Sequence, residues 1–81
     1  MRCTVQFFSQ LKEIAGASEM TFDLPDGTSV AALLARLYRS FPELAQWDRN
    51  LLIGIGVDFV ERDQRILPND KIAIMPPVQG G

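Results

Sequence analysis

The sequence closes on Pro76, Pro77, Val78, Gln79, Gly80 and Gly81, a run whose residue types suit chemistry better than folding. The two prolines fix φ at about −65° and remove two backbone donors, so a strand ending at Met75 cannot continue in a ladder. The chain must therefore leave the body extended. The two glycines give a lead without Cβ, free to enter a channel too narrow for any other residue and to take the φ and ψ that channel imposes. The last group is the α-carboxylate of Gly81. A carboxylate is a poor electrophile, and its general route to activation is adenylation by a partner enzyme that holds ATP. The activated acyl carbon is then open to a sulfur donor, giving a thiocarboxylate, or to an amine, giving an isopeptide; both attacks need an unhindered carbonyl on a flexible lead. Residue chemistry leaves these two outcomes open. It also leaves open a frayed, functionless end, although a frayed end has no need of a stiff Pro-Pro spacer.

Little else in the chain suits catalysis. There is no histidine, so the commonest general base is missing, and acid–base work would rest on carboxylates, Lys12, Lys71 or the lone Tyr38. A chain of 81 residues buries only about 60% of the surface it exposes when unfolded, which leaves little room for a deep pocket. No intrinsic catalytic residue and no bound cofactor are expected. Cys3 is the single cysteine, so neither an internal disulfide nor the usual zinc ligand sets can be assembled, and no metal is expected. Cys3 falls in the inward phase of a strand and reads as packing. Eight basic against ten acidic residues give a net charge of −2 without a basic cluster, which speaks against nucleic acid or an anionic membrane as partner. No apolar run approaches the ~20 residues of a membrane span, and the start lacks a signal-peptide pattern, so the expected location is cytoplasmic.

The elements that must position the tail follow from periodicity. Residues 2–8 alternate, with Cys3, Val5 and Phe7 on one face, predicting a half-buried strand. Ser9 is placed to cap a short helix over 10–15, which stops at Gly16. Residues 19–24 alternate again, with Met20, Phe22 and Leu24 inward, and Pro25-Asp26-Gly27 supplies a turn. Thr28 or Ser29 caps the main helix, in which Val30, Leu33, Leu34, Leu37, Tyr38 and Phe41 recur at steps of three and four before Pro42 ends it. Residues 43–50 read as loop, with Leu44 and Trp47 able to tuck under an irregular turn. Residues 51–60 form an apolar strand interrupted by Gly54 and Gly56, where a bulge or a close backbone approach is expected. Residues 61–65 are a charged surface turn or short edge strand, Leu67 plugs the core, and Pro68-Asn69-Asp70 turns into a last strand over 71–75 with Ile72 and Ile74 on one face.

Antiparallel pairing of the first two strands and a helical crossover to the third predict an α+β domain, a mixed sheet packed on one main helix. That is the layout of a ubiquitin-like β-grasp, over residues 1–75, with 76–81 as an extended tail. Three stretches carry a family resemblance: FFSQLKEIAG near the start, LLIGIGVD in the middle and DKIAIMPPVQGG at the end. Together they resemble the small subunit of molybdopterin synthase, the MoaD family, over the whole chain. The chain departs where the family often has Val-Asn, carrying Ile55-Gly56 instead.

The resemblance implies a non-catalytic sulfur carrier. Gly81 would be adenylated by an E1-like enzyme at the expense of ATP and converted to a thiocarboxylate. It would then be inserted into the large synthase subunit, where the catalytic residues lie, to give its sulfur to cyclic pyranopterin monophosphate. Gly80, Gln79, Val78, Pro77 and Pro76 would thread the partner active sites. Phe8 and Met75 lie off-phase on neighbouring strands, with Phe59 able to join them. The choice is between a covered pair and an apolar docking patch, and the resemblance favours docking beside the tail. Other readings are a sulfur carrier for thiamine or cysteine synthesis, a ubiquitin-like protein modifier, and a plain interaction domain with a dispensable tail.

Overall fold

The computed structural model describes residues 1–77, and the chain runs through five strands and three short-to-medium helices in them. In order these are β1 (Arg2–Phe7), α1 (Gln10–Ala15), β2 (Glu19–Asp23), α2 (Val30–Ser40), α3 (Pro42–Ala45), a single 3₁₀ turn (Asp48–Asn50), β3 (Leu52–Ile55), β4 (Asp58–Phe59) and β5 (Lys71–Met75). The sheet order is β2-β1-β5-β3-β4. β1 pairs antiparallel with β2, Gln6 opposite Glu19, and parallel with β5, Val5 opposite Ile72 and Phe7 opposite Ile74. β3 lies antiparallel to both β5 and β4.

The two central strands carry the most apolar inward rows, Cys3, Val5 and Phe7 on β1 and Ile72 and Ile74 on β5, and all five side chains are buried. Against them α2 lays Val30, Leu33, Leu34 and Leu37, a stripe of steps of three and four, also buried. Each such aliphatic or aromatic side chain contributes about 1.5–3 kcal/mol on full burial, so this sandwich dominates stability. Phe7 meets Phe41 edge-on, ring centroids 6.3 Å apart at 79°. This is the predicted mixed sheet on one main helix.

The start of α2 is held more fully than its serine suggests. Ala32 N–H donates to Ser29 Oγ at 3.2 Å, while Val30 N–H and Ala31 N–H donate at 2.9 Å to the carbonyls of Gln64 and Arg62. The charged turn over 61–65 therefore satisfies first-turn donors that a helix cannot pair internally. It is a cap for the main helix as well as a surface turn.

Several local expectations are corrected. Ser9 makes no side-chain cap to α1; it sits at φ 56° and its hydroxyl bonds Gln10 Oε1 at 2.9 Å. Residues 43–50 are not loop, because Pro42 opens α3 as its first residue and Leu44 is buried beneath it, followed by the 3₁₀ turn. Residues 51–60 are not one bulged strand but the β3–β4 hairpin, with Ile55 opposite Asp58 across Gly56-Val57. Gly56 has φ 64°, a conformation asparagine also tolerates, which accounts for glycine standing where the resembled family often has asparagine. The core plug is Ile66, 1% exposed, and not Leu67, which is 63% exposed. Ile66 N–H is tied to the Thr28 carbonyl and Leu67 N–H to Asp70 Oδ2, so the turn at Pro68-Asn69 rolls Leu67 outward. Met20 and Phe22 face inward but are only half-buried, since β2 is an edge strand.

Candidate functional site

The root of the tail lies at the meeting of β1, β5 and β3. Phe8 N–H donates to the Ile74 carbonyl at 3.2 Å, extending the β1–β5 pairing by one residue, and Met75 stands opposite Leu52 of β3. Pro76 and Pro77 follow, half-buried and outside any ladder. The tail residues Val78, Gln79, Gly80 and Gly81 lie outside the described residues.

Strand alternation that sends Phe7, Ile72 and Ile74 to the core sends Phe8, Ala73 and Met75 to the opposite face. Phe8 is 43% exposed and Met75 half-buried. From the hairpin come Phe59, 73% exposed, and Val57, 99% exposed. Phe59 is paired with Gly54, and Gly54 in turn with Ala73, so Phe8, Met75 and Phe59 are brought to one outer face by three strands. Between them runs an open groove of about 290 Å³, bordered by Phe8, Met75, Phe59 and Val57 and floored by Gly54 and Ala73. Toward β2 the face turns polar, where Gln6 Nε2 donates to Glu19 Oε2 at 3.3 Å.

Sequence reasoning found the three large apolar residues but missed Val57 and the small-residue floor. Their signal was the same Gly54 and Gly56 that made the phase of this stretch ambiguous. A larger cleft of about 360 Å³ lies on the helical side, lined by Ile14, Ser40, Phe41, Pro42 and Glu43. Its ionisable or hydroxyl side chains are those of Glu43 and Ser40 alone, and it is built from the helical layer and not from the face that carries Phe8 and Met75.

One cluster of titratable groups, Tyr38, Asp48 and Arg62, serves the fold. Tyr38 Oη donates a short hydrogen bond to Asp48 Oδ1, which also accepts from Arg62 Nη1 at 2.9 Å. Arg62 Nη2 reaches the Asp48 carbonyl. Burial, and then this bond, push the Tyr38 hydroxyl well above its usual range, so it is a poor proton donor or base near neutrality. The Tyr38 and Arg62 bonds hold the Asp48 carboxyl below its usual range. The trio pins α2, the 3₁₀ turn and the 61–65 turn together. Cys3 is buried, and desolvation, its largest influence, raises its thiol pKa, so it is an inert packing residue. Among the described residues no group of three or more His, Cys, Asp or Glu could hold a metal ion, and no helix is long and apolar enough to cross a membrane.

A mixed five-stranded sheet over one long helix, with parallel first and last strands and the last strand running out into Pro-Pro, defines a ubiquitin-like β-grasp protein. Within that class the chain belongs to the ThiS family, which residues 5–81 match. It is 32% identical over 83 residues to a molybdopterin synthase sulfur carrier subunit of Chlamydomonas reinhardtii, with 100% of both chains covered. Its fold is similar to that of small archaeal modifier protein 1 of Haloferax volcanii, with a TM-score of 0.80 at 20% identity over 95% of this chain and 98% of that one. It is also similar to a chain in the complex of subunits 1 and 2 of molybdopterin-converting factor from Helicobacter pylori, with a TM-score of 0.72 at 21% identity and 100% of each chain covered.

Proposed function

We propose that this chain is the sulfur carrier subunit of a molybdopterin synthase. The observation that carries the reading is the end-to-end likeness to the Chlamydomonas carrier subunit, without a gap in coverage on either side. Gly81 attacks the α-phosphate of ATP held by an E1-like adenylating enzyme, releasing pyrophosphate and leaving an acyl adenylate. A sulfide-level sulfur donor then attacks the acyl carbon, the C–S bond forming as the C–O bond to AMP breaks, to give the thiocarboxylate. The large synthase subunit takes in the tail, and the sulfur passes to cyclic pyranopterin monophosphate. Pro76, Pro77, Val78, Gln79 and Gly80 thread these active sites, and Phe8, Phe59 and Met75 dock beside the entry. The chain contributes no catalytic residue of its own; the groups that act on the substrate are supplied by its partners, in keeping with a sequence that has no histidine. It binds no cofactor, ATP being the activating partner's substrate, and works in the cytoplasm as part of a hetero-oligomer.

The test is the intact mass of the chain after incubation with the activating enzyme, ATP and a sulfur donor. Replacement of one oxygen by sulfur, confined to Gly81, is expected, followed by its loss when the large subunit and pyranopterin substrate are added. Isopeptide attachment to lysines in place of the thiocarboxylate would instead make the chain a protein modifier.

A further inference from the structure

The two edges of the sheet differ in what they offer to another chain. β4, at one end, is only Asp58–Phe59, whereas β2, at the other, runs over Glu19–Asp23 and pairs with β1 alone. In an antiparallel pair the main-chain groups of alternate residues turn toward the partner strand, and those between turn away. Phe7 N–H donates to the Ser18 carbonyl at 2.9 Å and Leu24 N–H to the Met1 carbonyl at 2.7 Å. In that register Met20 and Phe22 bond β1, while the amides and carbonyls of Glu19, Thr21 and Asp23 face outward. Such a row is a template for another strand. Among the described residues one side chain answers it: Arg36 of α2, whose Nη1 donates to the Asp23 carbonyl at 2.8 Å. The Arg36 guanidinium also lies over the half-buried Phe22 ring, 5.1 Å from its centre.

We propose that Arg36 is a latch that holds the β2 edge closed against a second copy of this chain. β2 is self-complementary about Thr21. Laid antiparallel on a second copy, it sets Thr21 opposite its counterpart, Met20 opposite Phe22 and Glu19 opposite Asp23. The outward amides and carbonyls of both strands would then pair, and the exposed parts of Met20 and Phe22 would be covered. That pairing needs the Asp23 carbonyl as acceptor for the Glu19 amide of the other copy, and Arg36 already occupies it. It also brings the facing Met20 against Phe22, whose ring Arg36 lies over. Like charge adds to the bar, because Glu19 and Asp23 would face each other twice across the two-fold axis. Arg2, exposed and 3.7 Å from the Asp23 carboxylate, offsets only part of that charge. The latch is a property of this chain's own fold and stands whether or not the chain carries sulfur.

Opening the latch in a background without the like-charge contact tests it. Glu19→Gln, at an exposed position, removes that contact and leaves Arg36 in place. Adding Arg36→Ala frees the Asp23 carbonyl and puts a strong helix former in α2. Should that variant not fold, Arg36→Met keeps an apolar stem over Phe22 without a donor. In sedimentation equilibrium of the full chain, wild type is expected to be a monomer. Arg36→Ala/Glu19→Gln is expected to form a dimer at least ~tenfold tighter than any formed by Glu19→Gln alone, since each freed carbonyl gains a main-chain bond. In that dimer hydrogen exchange at the Glu19 and Thr21 amides should slow, whereas in wild type both face water. Adding Thr21→Pro removes an amide that points away from β1, which an edge strand tolerates, and should return the variant to monomer.

Equal association of Glu19→Gln with and without the Arg36 substitution, including no association by either, overturns the latch. A dimer in which the Glu19 and Thr21 amides exchange as fast as in wild type forms elsewhere and overturns it as well, a measurement that holds even where Thr21→Pro does not fold. A wild-type dimer that protects those two amides shows the edge open with Arg36 in place, and overturns it too.

Discussion

Adjacent phenylalanines on β1 offer a direct separation of interface from core. Phe7 is 2% exposed and packed edge-on against Phe41, whereas Phe8, one residue on, is 43% exposed on the outer face. Phe7→Ala removes a fully buried ring and is expected to cost ~3–5 kcal/mol through lost transfer energy and the cavity left behind. Against a total of roughly 4–12 kcal/mol for a chain of 81 residues, that is enough to unfold a large fraction of molecules. For Phe8 slightly more than half the ring is out of water. Scaling the ~1.5–3 kcal/mol of complete burial by that fraction gives ~1–2 kcal/mol, and since glutamine keeps part of the stem, Phe8→Gln should cost about 1 kcal/mol. That is more than the ~0.5 kcal/mol usual for surface positions, because Phe8 at 43% exposure is only partly in water. Docking should respond in the opposite proportion, with Phe8→Gln losing at least tenfold in affinity for the large subunit, ~1.4 kcal/mol or more. Urea unfolding and titration on the same samples check both halves. If Phe8→Gln loses as much stability as Phe7→Ala, or docks as tightly as wild type, the assignment of the outer face to a partner is refuted.

Deleting Gly81, or adding one residue after it, is expected to abolish thiocarboxylate formation while leaving the urea midpoint in place, since the buried core among the described residues runs only from Cys3 to Ile74. Gly80→Val should block pyrophosphate exchange with the activating enzyme through lost φ/ψ freedom and added bulk; exchange at the wild-type rate would rule out a threaded channel. The Tyr38–Asp48–Arg62 trio predicts two pH limbs. The Asp48 pKa is depressed in the fold, so its contribution is present above the unfolded value of about 3.9 and is lost as pH falls through the folded value. The Tyr38 pKa is raised, so its contribution is present below the unfolded value of about 10 and is lost as pH rises beyond it. Asp48→Asn should therefore flatten the acid limb of urea stability and Tyr38→Phe the alkaline one. With Asp48 46% exposed the acid effect is small, about 0.2–1 kcal/mol.

What was legible in the sequence was what a single stretch of chain decides for itself. β1 and β5 read correctly because a sheet covered on one side forces strict alternation, and α2 because its stripe of Val30, Leu33, Leu34 and Leu37 has no competing period. The helical turns over 42–50 were hidden because four residues of α3 and three of the 3₁₀ turn are too few to show a period, and only the burial of Leu44 betrays them. Ile66 and Leu67 could not be told apart by composition. Which of them turns inward is set by hydrogen bonds to Thr28 and Asp70, one distant in sequence and one near. The β3–β4 hairpin was obscured for a related reason: Gly54 is buried by Met75 from the neighbouring strand, so burial there does not alternate as a strand period requires.

The two parts of the candidate site differ in the same way. The tail declares itself because two prolines and two glycines are a poor choice for any packed element, so their presence calls for a reason outside folding. The groove declares itself only in part, through the off-phase Phe8, Met75 and Phe59, and not through Val57 or the Gly54–Ala73 floor. Its walls come from residue 8, residues 57 and 59, and residue 75, and they meet only because the parallel pairing of β1 with β5 places the first strand beside the last. That pairing also places the start of the tail at the groove's edge. An apolar contact made there would involve the same strand, β5, from which Pro76 and Pro77 depart, so a test of the groove and a test of the tail probe one end of the sheet.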